Sequence, residues 1–175
     1  LKELSKNHNI ELMVMYNGAP PTNKEPWIVN TINTVFVPWS YENYGKYLSA
    51  ADIGIVPSNL IVDIEKIKSS LSNQNPDNYH ISFKMPTNPG RIITFGQLGI
   101  PVVADFFPSA LELLSEERGY VANSKDGWKH CLENLIISHE LRQHMSDRLQ
   151  SSVFEKFDYQ KQNKRLLNFL TNIKG

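Results

Sequence analysis

Gly99-Ile100-Pro101-Val102-Val103-Ala104 decides the fold. A glycine and a proline open this stretch, its last residues are apolar without alternation, and a helical pattern from Asn88 to Leu98 runs straight into it. So short an apolar run between turn residues reads as a strand buried on both faces, as in a parallel sheet covered by helices. Four other segments read the same way: Glu11 to Tyr16, Thr34 to Pro38, Ile53 to Pro57 and Tyr120 to Ala122. Turn residues end them, among them Asn17-Gly18, Pro57-Ser58 and Gly119. Helical patterns at Tyr41 to Ser49 and Asn88 to Leu98 alternate with these strands. Ser109, with Glu112 three residues on, fits a capping box and starts another helix. Strand and helix in alternation predict an α/β fold, a Rossmann-like parallel sheet flanked by helices.

The remainder is a helical tail. Trp128, Cys131, Leu132, Leu135 and Ile136 repeat with the period of one helix face. Leu141, Met145, Leu149 and Val153 form a second stripe, and Leu166, Leu167, Leu170 and Ile173 a third after Asp158. The piece from Ser58 to Phe83 is longer than the usual connection of about 2–6 residues in such units. Ile64 to Leu71 reads as a short helix within it, and the polar rest as a surface loop of the kind that forms lids and binding loops. No internal repeat or low-complexity tract is present.

Composition narrows the function. The 175 residues carry Lys+Arg 18 against Asp+Glu 18 and are 41% hydrophobic, the make-up of a single globular domain. Zero net charge argues against a nucleic-acid partner, because proteins that track a phosphate backbone carry a basic excess. The longest apolar runs fall well short of the ~20 residues of a transmembrane segment. Cys131 stands alone, so no disulfide joins two parts of the chain, and a reducing, cytoplasmic setting is expected. His139 and His144 do not share a helix face, so no metal site is expected there. No phosphate-loop, dinucleotide or Ser-His-Asp signature occurs, which disfavours a P-loop NTPase, a dehydrogenase and a serine hydrolase.

In an open parallel sheet, ligands bind beyond the carboxyl ends of the strands. The residues that follow those ends include Trp39-Ser40-Tyr41, Ser58 and Asp105-Phe106-Phe107. Phe83 to Arg91 is the most informative stretch: Lys84 and Arg91 flank Thr87, Asn88, Pro89 and Gly90, which suit a helix start whose free N–H groups attract an anion. Equally, Thr87 or Asn88 could simply cap the helix while both cations stay solvated. His80, in the long loop, reads as solvated. Tyr44 and Leu48 pack inward, which leaves Tyr41 as the better candidate to stack on a base.

Taken in order, Ala51-Asp52-Ile53-Gly54-Ile55-Val56-Pro57, then Lys84, Asn88 and Arg91, then Gly99 to Ala104, Glu112, Gly119-Tyr120 and Asp126-Gly127-Trp128 resemble the C-terminal, donor-binding domain of GT-B glycosyltransferases. The resemblance spans most of the chain. It implies a nucleotide-diphosphate sugar as donor substrate, with no further cofactor. Lys84 and Arg91 would neutralise the diphosphate, Asn88 and Ser58 would lie beside it, the Trp39 to Tyr41 loop would meet the base, and Glu112 would reach ribose or sugar hydroxyls. The large retaining branch of that family has Glu residues at the positions held here by Pro86 and Thr94, so the resemblance implies a divergent branch. No catalytic residue is assigned. The resemblance also implies an N-terminal domain of the same polypeptide as partner, without which this chain is silent. A strand is expected before the first helix, and in a 3-2-1-4-5-6 sheet its absence leaves a gap at the centre. A second possibility is a non-catalytic nucleotide-sugar binding or protein-interaction module on the same fold.

Overall fold

The structure is a computed structural model that describes residues 1–19, 32–57 and 89–173. The expected helix at Ile64 to Leu71 and the loop around it lie outside the described residues. The five strands are β1 (Glu11–Tyr16), β2 (Asn33–Pro38), β3 (Gly54–Val56), β4 (Val102–Asp105) and β5 (Tyr120–Ala122). The helices are α1 (Tyr44–Leu48), α2 (Gly90–Gln97), α3 (Pro108–Leu114), α4 (Lys125–Ile137), α5 (His139–Lys156) and α6 (Tyr159–Asn172). A single 3-10 turn, Leu4–Lys6, precedes β1.

Every strand pair is parallel, as the apolar runs predict, and helices flank the strands. The ladders form two sheets, β1-β2 and β3-β4-β5.

β4 explains why the opening stretch is so apolar: all four of its residues are buried. Their side chains alternate between two cores. Val102 and Ala104 join Ile92 of α2, Ala110, Leu113 and Leu114 of α3, and Leu149 and Val153 of α5. Val103 faces the other way, onto Leu4, Cys131, Leu132, Leu135 and Met145. Helix α5 therefore serves both cores, with Met145 in one and Leu149 and Val153 in the other. Leu4, 1% exposed, ties the 3-10 turn to the three-stranded sheet, and Glu3 with Lys129 of α4 repeats the tie at 3.0 Å on the surface.

Local chemistry sets the helix ends. Gly99, at φ +69°, follows α2 in the left-handed conformation that closes helices and suits glycine. The Ser124 hydroxyl accepts from the Gly127 N–H and caps α4. Ser138 and Asp158 cap α5 and α6 in the same way. The Arg142 guanidinium donates to the Leu135 and Ile136 carbonyls and satisfies the far end of α4. The expected capping box at Ser109 is corrected: Phe107 is the extended cap residue and Pro108 the first helical one. A proline there loses no hydrogen bond, because that N–H has no helical partner in any case. No helix among the described residues is long and apolar enough to cross a membrane.

Candidate functional site: the carboxyl ends of the strands

Helix α2 leads through Gly99, Ile100 and Pro101 into β4, which lies parallel to β3. Its last turn therefore sits at the amino end of β4, and its first turn faces the carboxyl end, where β4 finishes at Asp105. That places Arg91, the second residue of α2, at the edge where the sequence puts the ligand. Arg91 is exposed and makes no ion pair or hydrogen bond among the described residues. Pro89 precedes the helix and gives no side-chain cap. Lys84, Asn88 and Ser58 lie outside the described residues.

Glycines let α2 lie close. A Cβ on Gly54 of β3 would come within 2.7 to 2.9 Å of the Phe95 ring. One on Gly96 would meet Val153 Cγ2 at 2.8 Å and Leu149 Cγ at 3.0 Å. The helix is thus clamped between the sheet and α5, and its first turn is held on a rigid support. Thr94 donates its hydroxyl to the Gly90 carbonyl at 2.9 Å and so closes on its own helix.

At the carboxyl end of β2 the aromatic loop is in place. Trp39 stacks on Tyr44, with centroids 6.5 Å apart and planes at 23°. Tyr41 sits tilted against Tyr44 at 6.2 Å and is 77% exposed. Tyr44, expected to pack inward, is only half-buried and joins neither core; its ring lies between those of Trp39 and Tyr41, both of which stay exposed. In the same loop the Ser40 hydroxyl oxygen is buried and has no hydrogen-bond partner among the described residues. A buried hydroxyl in that condition forfeits about 1–3 kcal/mol, a cost that a polar atom brought to it would remove.

Glu112 sits on the second turn of α3, exposed, with its carboxylate 3.3 Å from Lys156 Nζ at the end of α5. A sugar hydroxyl would have to compete with that ammonium. Two polar residues gain importance that the sequence does not signal. The Trp128 indole N–H donates to Asp105 Oδ1 at 2.6 Å, and Asp105 is only 5% exposed. Asp105 follows a strand and Trp128 begins an apolar stripe, but nothing in the sequence joins residues twenty-three apart. The indole orients a buried carboxylate at the end of the central strand of the three-stranded sheet.

Other features lie elsewhere. An open, mostly polar depression of about 430 Å³ is lined by residues 5–10 and Asn33, at the amino ends of β1 and β2. Burial pushes the Cys131 thiol upward, which keeps it protonated and unreactive. His144 Nε2 lies 3.2 Å from Glu117 Oε2. Among the described residues no three metal-ligating side chains converge.

The chain matches no protein-family model and no curated protein.

Proposed function

We propose that this chain is the nucleotide-sugar binding domain of a glycosyltransferase, holding the nucleotide diphosphate of its donor at the carboxyl edge of the strands. The observation that carries the reading is Arg91: an exposed guanidinium with no ion pair or hydrogen bond among the described residues, on the first turn of a clamped helix at the edge where parallel sheets bind ligands. A guanidinium donates two parallel hydrogen bonds to phosphate oxygens, and the helix start adds its dipole. Lys84, Asn88 and Ser58, outside the described residues, are assigned to the same site by the sequence resemblance alone. Trp39 and Tyr41 offer ring surface to a base, and the buried Ser40 hydroxyl of the same loop has no partner among the described residues. Glu112 would join only by leaving Lys156. The acceptor and the transfer step require a second domain.

Thr94 favours a second reading. Its hydroxyl is spent on its own helix where the retaining branch keeps a carboxylate, which suits a module that binds donor without transferring sugar. Calorimetric titration with UDP, GDP and ADP, their sugars and the parent nucleosides tests both. Donor binding that requires the diphosphate is expected. No binding of any diphosphate would overturn the proposal. Binding without transfer, when an N-terminal domain and acceptor are supplied, would leave the second reading.

A further inference from the structure

Helix α6 is the anomaly of the molecule. It is 14 residues long, none of them is buried, and yet it carries a large apolar face. Leu166, Phe169, Leu170 and Ile173 follow the i, i+3, i+4, i+7 spacing, with Tyr159 two turns earlier on the same face. All five are between 51 and 72% exposed. Phe154 and Phe157, at the end of α5, add 56 and 42% exposed rings next to it. An isolated helix of this length is marginal in water, so α6 needs something to cover that face.

Charge says what. The opposite face holds Lys161, Lys164 and Arg165, again at i, i+3 and i+4, and α6 contains no Asp or Glu. Like charges at those spacings repel one another in water, and an anionic surface relieves the repulsion. The rest of the chain is not basic: with 18 cationic and 18 anionic residues overall, the excess is local to α6. A second copy would cover the apolar face but leave Lys161, Lys164 and Arg165 on the outside with no carboxylate to answer them. A cationic face opposite an apolar one with aromatic residues is the make-up of helices that lie in a membrane interface.

We propose that α6 is an interfacial helix that lays its Leu166–Phe169–Leu170–Ile173 face into an anionic lipid surface. Lys161, Lys164 and Arg165, on the polar face, then add their charge to the attraction of the anionic headgroups.

The test is co-sedimentation of the whole chain with vesicles of phosphatidylcholine containing roughly 30% phosphatidylglycerol, and with phosphatidylcholine alone. Two variants accompany it, Leu166→Asp/Leu170→Asp and Lys161→Glu/Lys164→Glu/Arg165→Glu. Because no α6 side chain is buried, both variants keep the thermal transition of the parent, which circular dichroism checks. The parent should partition onto the anionic vesicles about tenfold more than onto neutral ones, and lose that binding in raised salt. Each variant should lose about tenfold of the anionic binding. Absence of parent binding to anionic vesicles would overturn the proposal, as would binding that neither variant reduces. Concentration-dependent dimers abolished by Leu166→Asp/Leu170→Asp, without vesicle binding, would assign the face to a second copy instead.

Discussion

Single side chains fix how closely α2 can approach its neighbours, and Gly96 is the sharpest case. Val153 and Leu149, the two residues a Cβ would strike, are themselves buried in the core and cannot swing away. Gly96→Ala should therefore destabilise the chain by about 1–3 kcal/mol, read from chemical denaturation, the cost of overfilling a packed seam. An unchanged midpoint would mean that α2 and α5 are not seated as described. At this scale the sequence was legible where a residue acts on its immediate neighbours: the helical pattern ends before Gly99, and the last helix starts after Asp158. It was illegible where partners are far apart in the chain. Asp105 and Trp128, or Glu112 and Lys156, meet only because β4, α3, α4 and α5 pack together. The Ser109–Glu112 spacing misled for a related reason. Pro108 already supplies a pre-formed first turn, so the helix begins before the serine.

Among elements, the strands were the most legible. β1 and β5 have the bounds that their apolar runs mark; β2 begins one residue earlier than Thr34, β3 is one residue shorter at each end than Ile53 to Pro57, and β4 lies one residue on from Pro101 to Ala104. The short α1 was overestimated, since residues 41–43 form a turn in which Tyr41 and Tyr44 pack as rings. The apolar stripe of α6 was visible, but its exposure was not, because periodicity gives a face and not what covers it. The link between the 3-10 turn and α4 makes a prediction about pH. The hydrogen bond from Lys129, with its charge, holds the Glu3 carboxyl below the ordinary glutamate range, and Glu3 raises Lys129 in return. A lowered carboxyl contributes its stabilisation above its unfolded value and loses it as pH falls through the folded one; the raised lysine loses its share only as pH climbs past the folded lysine value. The amide signals of Leu4 and Lys129 should accordingly titrate together in acid, with a midpoint under that of a free glutamate. Glu3→Gln should remove that step. A midpoint at the ordinary glutamate value would show the contact does not form in solution.

On the scale of the whole molecule, alternation of strand and helix was enough to give the parallel α/β class. Among the described residues β1 pairs with β2 alone and β3 with β4 alone, so each has an open edge. Half of the β1 amides point away from β2. Hydrogen exchange should be fast at alternate positions between Leu12 and Met15, and slow at Val103 and Ala104, which lie between two strands. Uniform protection along β1 at the level of β4 would mean that the gap is closed. The candidate site was legible as a place rather than a geometry: the strand ends, the aromatic loop and Arg91 were marked in advance, whereas the orphan Ser40 hydroxyl and the Asp105–Trp128 pair needed coordinates. The central claim is that the carboxyl edge holds a nucleotide by its diphosphate. It is tested most directly by titrating the parent and Lys84→Ala/Arg91→Ala with a nucleoside diphosphate and with its nucleoside. Diphosphate affinity should fall by about tenfold or more on loss of two charge-assisted contacts, with nucleoside affinity unchanged; equal loss for both ligands would contradict the account.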